Sequence, residues 1–187
     1  MNPIEALKTE HRAIETALEI LSEMFPRIQD LHGNGIVRDA RRLLDFFRTF
    51  ADTCHHGKEE RFLFPVLERI GVSRKGGPIG VMLSEHEEGR ILLRQLEEAL
   101  GLVGAGDPSA GILFKTAAEA YIELLRQHIF KEDTVLFQIA EDRLSTIRKS
   151  TLADQFDRFE KEQIGTGTHE AFHQRLDELT QRYVDPE

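Results

Sequence analysis

Apolar positions recur every three to four residues along four long stretches of the chain, a spacing that predicts amphipathic α-helices. The first helix starts at Pro3, with Asn2 as its N-cap, and is expected to end between Pro26 and Leu31. Its apolar positions are Ile4, Leu7, Ile14, Leu18, Leu21 and Phe25. A glycine-containing loop is predicted next, at residues 32–35.

Three further helices are predicted at about residues 36–70, 78–100 and 109–144. Gly71 is placed to cap the second helix, and glycine-containing stretches separate the others. Pro65 lies inside the second helix and predicts a kink there, because proline has no backbone N–H to donate. The sequence shows no strand-like alternation of useful length, so the predicted fold class is all-α.

Four long helices joined by short loops are typical of an antiparallel up-down-up-down four-helix bundle. The weaker pattern after the fourth helix predicts a short helix around Phe156 and a last helix, capped by Thr168, that ends near Tyr183. We therefore divide the chain into the bundle at residues 1–145 and a C-terminal helical extension at 146–187, packed on or near the bundle.

The pattern His-x-x-Lys-Glu occurs twice, once in the second predicted helix and once in the fourth. It pairs His55 with Glu59 and His128 with Glu132. Residues four positions apart share one face of an α-helix, one turn apart. Each motif therefore offers an imidazole and a carboxylate side by side to a cation.

Single histidines in the first and third helices complete an internal repeat. His11 follows Glu10 and His86 follows Glu85, 75 positions later, while the two motif histidines are 73 positions apart. Two similar halves would give each of two metals one single histidine and one His–Glu pair. Glu10 and Glu85 are then candidates to orient the imidazoles. The predicted metal ligands are His11, His55, Glu59, His86, His128 and Glu132.

Other residues near these motifs are alternatives. His56 and Glu60 form a second pair with the same spacing, but position 129 is isoleucine, so the repeat favours the neighbouring pair. Tyr121 lies two turns before His128, where it could hydrogen-bond or ligate a metal, or fill the core. His169 and His173 could lie near the bundle or form a second, weak site, but we interpret them as the polar face of the last helix.

Composition excludes several classes of function. The net charge of −9 argues against binding nucleic acid through its phosphates. No apolar run approaches the roughly 20 residues that span a bilayer, and charged residues near Met1 argue against a signal peptide. The single cysteine, Cys54, cannot form an internal disulfide, so we expect a cytoplasmic protein. Histidine and glutamate donors without cysteine favour iron or manganese over a structural zinc site.

The order of these motifs, from about Ile4 to Glu141, resembles the hemerythrin-like (HHE cation-binding) domain family. Residues 77–82, leading into His86, also resemble bacterial members. The resemblance implies two iron ions per chain, with manganese or zinc as substitutes, and an oxo or hydroxo bridge. It also implies that both motif glutamates bridge the ions, that His11 and His55 bind one, and that His86 and His128 bind the other.

Arg90 is a departure from the oxygen-carrying members, which have a second histidine at this position of the third helix. Its presence implies two nearly equivalent, more open metal sites, which suit peroxide or nitric oxide chemistry better than reversible oxygen carriage. Arg90 itself could reach a bridging carboxylate or a bound anion, or pair with Glu87 or Glu88. Oxygen carriers also use a five-residue step in the last motif, which keeps Asp133 as an alternative to Glu132.

The leading functional hypothesis is a non-haem di-iron protein of oxidative-stress defence that turns over peroxide, with catalase- or peroxidase-like activity. The alternative is a non-enzymatic sensor of oxygen, nitric oxide or iron, or an oxygen- or iron-binding protein. Both imply a small diatomic or peroxide ligand and no membrane or nucleic-acid partner. A protein partner or a homo-oligomer stays open.

Overall fold

The computed structural model describes residues 2–28, 34–165 and 167–185. These residues form a helical bundle, which confirms the predicted all-α class. Most of the predicted loop at 32–35 lies outside the described residues, and helix resumes at Asn34. The α-helices are α1 (Pro3–Ile28), α2 (Asn34–Phe46), α3 (Phe64–Arg69), α4 (Pro78–Gly104), α5 (Ala110–Lys131), α6 (Phe137–Arg143), α7 (Thr146–Gln163) and α8 (Thr168–Tyr183).

Three π-helical segments interrupt the helices that carry the repeated motif. Two of them, Phe47–His56 and Glu59–Leu63, connect α2 to α3, and the third, Glu132–Leu136, connects α5 to α6. The sequence predicted regular α-helix throughout, which is wrong here. The second and third segments each begin at the motif glutamate, so the internal repeat extends to this local geometry. Single-turn π segments are frequent at functional sites.

Pro65 lies in the first turn of α3, directly after a π-helical segment. A proline at this position is tolerated because the first N–H groups of a helix have no partner inside it. Gly71 follows α3 with φ of 93°, a left-handed conformation that glycine adopts without strain, as expected for the end of this helix.

The apolar core consists of two clusters with a polar layer between them. In α1, Ile4 and Leu7 belong to the smaller cluster and Ile14 to the larger one, with His11 between them. In α4, Met82 and Leu93 are divided in the same way, on either side of His86. The histidines therefore lie in a layer sealed by apolar packing at both ends.

The C-terminal helices contribute to both clusters. From α8, Phe172, Leu176, Leu179 and Tyr183 join the larger cluster, and from α7, Leu152 and Phe156 join the smaller one. The division of the chain at residue 145 stays a prediction. Among the described residues, no helix has both the length and the apolar character needed to cross a membrane.

Candidate metal centre

Two fully buried groups of side chains that could hold a metal ion lie inside the bundle, and they share Glu59. In each group, one donor atom per residue lies within 4.8 Å of all the others, and all of the residues are buried. The first group contains His11, His55, Glu59 and Glu132, and the second contains His56, Glu59, His86 and His128. The structure thus brings all six predicted ligands together, and adds His56.

The two glutamates each reach an imidazole in both groups. Glu59 Oε1 lies 3.6 Å from His55 Nε2, and Glu59 Oε2 lies 3.5 Å from His86 Nε2. Glu132 Oε2 lies 3.2 Å from His11 Nε2 and 3.3 Å from His128 Nε2. Both carboxylates are fully buried. This placement is the one expected for carboxylates shared by two cations.

Each imidazole is oriented by a carboxylate at Nδ1. When Nδ1–H donates to a carboxylate, the ring keeps one tautomer and Nε2 is left for a metal. The Nδ1–carboxylate distances are His11–Asp133 2.8 Å, His55–Glu10 2.8 Å, His86–Glu60 2.7 Å, His128–Glu85 3.0 Å and His56–Asp52 3.4 Å.

A cationic side chain lies behind each of these carboxylates. The pairs are Arg12–Asp133, Lys58–Glu10, Lys131–Glu85, Arg90–Glu60 and Arg90–Asp52. For Glu10, burial alone would raise the pKa, but the hydrogen bond from His55 and the charge of Lys58 outweigh it and hold the pKa at about 2. Hydrogen bonds and neighbouring positive charges also lower the pKa values of the other four carboxylates, so all five are ionised at neutral pH.

Unpaired polar atoms converge on the space between the two groups. Buried atoms without a hydrogen-bond partner among the described residues include Nε2 of His11 and His55 and both carboxylate oxygens of Glu59 and Glu132. Burying such groups unpaired is costly. Burial and the neighbouring charge of Glu132 raise the pKa of Glu59. Bound cations would satisfy all of these atoms at once, so the residues present fit a di-iron site.

The imidazoles differ in their protonation. Burial lowers the pKa of His55 to about 4 and that of His86 to about 3, so both rings are neutral, as metal ligands must be. At His128 burial acts in the same direction, but the negative charge of Glu132 and the hydrogen bond to Glu85 outweigh it and raise the pKa to about 9. A metal that binds His128 at neutral pH would therefore displace a proton.

Four residues considered from the sequence have places outside the two groups. Glu60 and Asp133 hold imidazole rings at Nδ1, as described above. Arg90 hydrogen-bonds Asp52 at 2.8 Å and Glu60 at 2.7 Å, not a carboxylate of either donor group. Tyr121 is buried edge-on against Phe47, with ring centroids 5.1 Å apart.

Cys54, His169 and His173 lie outside the two donor groups. Burial raises the pKa of the Cys54 thiol to about 12, so it stays protonated. His169 and His173 pack beside Phe50, with ring centroids 5.0 and 6.2 Å from it. His169 also lies near the carboxylates of Glu10 and Glu160, but the Lys58 ammonium already pairs with both.

Two local details of the C-terminal helices differ from expectation. The N-cap of α8 is Gly167, with φ of 82°, and not the predicted Thr168, whose hydroxyl donates to the carbonyl of Ile164. Gly57 lies against the ring of Phe159 on α7, where an added Cβ would come within 2.8 Å of Cζ. The glycine thus permits close approach of α7 to the helix that carries the metal motif.

The comparison with protein families agrees with this geometry. The family model of the hemerythrin HHE cation-binding domain matches residues 2–140, which include every member of both donor groups.

Known relatives carry two kinds of description. An uncharacterized protein of Mycobacterium tuberculosis is 27% identical over 163 residues, which make up 86% of this chain and 62% of that protein. The iron-sulfur cluster repair protein DnrN of Neisseria gonorrhoeae is 29% identical over 134 residues, 70% of this chain and 84% of that protein. The iron-sulfur cluster repair protein YtfE of Escherichia coli is 37% identical over 88 residues, 46% of this chain and 40% of that protein. The chain spans less than two thirds of the mycobacterial relative.

Proposed function

The chain belongs to the hemerythrin family of HHE cation-binding domains, and on that basis we propose that it is a di-iron protein that acts on small oxygen- or nitrogen-derived species during oxidative or nitrosative stress. The observation that carries the proposal is the pair of fully buried glutamates, Glu59 and Glu132, whose carboxylate oxygens are unpaired and which each lie near an imidazole of both groups. We also propose that the long helices run antiparallel in up-down-up-down order and that residues 146–187 form an extension of this bundle.

The residues that would hold the irons are those of the two donor groups. His11 and His55 serve one ion, and His86 and His128 serve the other, with Glu59 and Glu132 shared. When bound, an iron pair supplies two-electron redox chemistry toward peroxide or a binding position for nitric oxide. The metal is iron in this proposal because imidazole and carboxylate donors suit it and because two relatives are named for iron-sulfur cluster repair.

The protein residues contribute orientation, charge and exclusion of water. The carboxylates at Nδ1 keep each Nε2 directed to the centre. The donors of both groups are at most 5% exposed, which restricts reactants to molecules the size of peroxide or a diatomic gas. Orienting carboxylates backed by Lys58, Arg12, Lys131 and Arg90 stay ionised, so they hold the imidazoles without taking up the protons of the reaction.

Peroxide turnover in oxidative-stress defence is the specific activity that we propose. To test it, hydrogen peroxide is added to the iron-loaded protein and oxygen release is measured, with an equal concentration of free iron and a Glu59→Ala, Glu132→Ala variant as controls. Release well above both controls is expected. Release no faster than from free iron would rule out peroxide as the substrate.

A second candidate is a role in iron-sulfur cluster repair, which the similarity to the DnrN and YtfE proteins favours. In this role the protein would supply iron to a damaged cluster. The test is incubation of the iron-loaded protein with a nitric-oxide-damaged iron-sulfur enzyme, with recovery of that enzyme's activity as the readout. Recovery equal to that with free iron would exclude this role.

A further inference from the structure

We propose that His56 is a fifth imidazole ligand, so that the two metal positions are not equivalent. This inference rests on the proposed di-iron function and extends it. The internal repeat gives no counterpart to His56, because the corresponding residue of the second half is Ile129. The proposed role is thus carried by one residue in one half of the repeat.

The position of the His56 ring is that of a ligand to the second ion. The ring is 5% exposed and lies in one donor group with Glu59, His86 and His128. It stacks on the His86 ring, with centroids 3.9 Å apart and planes at 15°. One donor nitrogen of each ring also lies within 4.8 Å of donor atoms of Glu59 and His128, so both imidazoles belong to the same group.

The second nitrogen of the His56 ring also faces a carboxylate, at 3.4 Å compared with 2.7–3.0 Å in the other four histidines. Nδ1 of His56 lies 3.4 Å from Asp52 Oδ1, and the same oxygen accepts a hydrogen bond of 2.8 Å from Arg90. The guanidinium of Arg90 also holds Glu60, the carboxylate that orients His86. Arg90 is therefore a positioning residue for two imidazoles of the second ion.

The π-helical segment Phe47–His56 explains how two adjacent histidines face the same interior. In an α-helix, neighbouring side chains diverge by about 100°. A π-helix closes its hydrogen bonds five residues apart, which puts more residues in each turn and reduces this divergence. The hydroxyl of Thr53 accordingly donates to the carbonyl of Arg48, five residues back, at 3.0 Å. His55 can thus serve the first donor group while His56 serves the second.

The consequence is an asymmetric centre. The first ion would have two imidazoles, from His11 and His55, and the second would have three, from His56, His86 and His128. The ion with fewer protein ligands has more room for an added molecule.

The test is anaerobic titration of wild type, His56→Ala and His173→Ala with ferrous iron, with a competing chelator to obtain both dissociation constants. His173 is a control because it lies outside both donor groups. We expect His56→Ala to keep one tightly bound iron and to bind the second at least about 10-fold more weakly. Added imidazole should enter the space left by the alanine and restore the second iron, and Mössbauer spectra of wild type should show two different iron environments.

Each outcome decides a separate point. Wild-type affinity for the second iron in His56→Ala would overturn the role of His56 as a ligand. A weakened second site that imidazole fails to restore, in a variant with unchanged circular dichroism, would assign His56 a packing role and also overturn it. Failure of the wild-type protein to bind iron would instead overturn the di-iron proposal itself.

Discussion

The ammonium of Lys58, buried beside the metal motif, donates a hydrogen bond of 2.8 Å to Glu160 on α7. Its other partner is Glu10, the carboxylate that orients His55. An unbroken series of polar contacts therefore connects the C-terminal helices to an imidazole of the first donor group. Helix α7 is therefore held to the bundle by this polar contact next to the candidate metal site as well as by its apolar packing.

Removal of this contact should weaken the attachment of α7. For Glu160→Ala we expect a loss of about 1–2 kcal/mol in the free energy of unfolding, because Lys58 would keep only one of its two carboxylate partners. Urea unfolding of the metal-free protein measures the change. Glu162→Ala, at an exposed position of the same helix, is the matched control and should change stability by less than about 0.5 kcal/mol. Equal effects of the two substitutions would contradict the importance of the contact.

Arg90 should be irreplaceable by lysine. Its guanidinium holds Asp52 and Glu60 together, and one ammonium does not present this fork of donors. We expect Arg90→Lys and Arg90→Ala each to weaken binding of the iron held by His86 and His128 by about 10- to 100-fold. The affinity for the iron held by His11 and His55 should not change. Chelator competition measures both constants, with Arg94→Ala, at an exposed position of the same helix, as control. Full iron affinity in Arg90→Lys would show that a positive charge at position 90 is sufficient to hold the two carboxylates in place.

Because Gly57 contacts Phe159, we expect Gly57→Ala to destabilise the wild-type protein but to stabilise a variant that lacks the Phe159 ring. In the wild-type background, Gly57→Ala places Cβ 2.8 Å from the Phe159 ring, and such overpacking costs about 1–3 kcal/mol. In a Phe159→Ala background the same substitution should stabilise by up to about 1 kcal/mol, the helix-propensity advantage of alanine. A double-mutant cycle by urea unfolding measures both. The same effect in both backgrounds would show that the contact is unimportant.

Both tyrosines of the chain should resist ionisation while the protein is folded. Burial and the hydrogen bond to Asp39 raise the pKa of Tyr183 to about 12, and burial with the charge of Asp52 raises that of Tyr121. Because the folded pKa of Tyr183 exceeds the ordinary value of 10, its contribution to stability is complete below pH 10 and is lost as the pH rises toward 12.

Alkaline titration followed by tyrosinate absorbance measures this resistance. Little signal is expected near pH 10 in the folded protein, whereas the urea-unfolded chain should titrate normally there. Asp39→Asn should lower the pKa of Tyr183, because the neutral amide no longer disfavours the phenolate. Normal titration of both tyrosines in the folded protein would contradict the burial described for them.

Sequence patterns located the helices and the six repeated donors, because helical periodicity and a duplicated motif are both properties of residue order. The π-helical segments were missed, since a hydrogen bond that spans five residues has no residue signature in a single sequence. His56 was set aside for the same reason: on a regular α-helix it points away from His55, and Ile129 breaks the repeat. The pairing of Glu60 with His86 is a tertiary contact that sequence spacing does not show, whereas Asp52 lies only four residues before its partner His56.

The measurement that tests the di-iron centre most directly is the metal content and visible absorption of protein purified aerobically. We predict close to two irons per chain, with the charge-transfer bands of a bridged ferric pair, and loss of both in Glu59→Ala and Glu132→Ala. His173→Ala should keep the metal and the bands. A wild-type protein that holds no transition metal after reconstitution with iron would contradict the account.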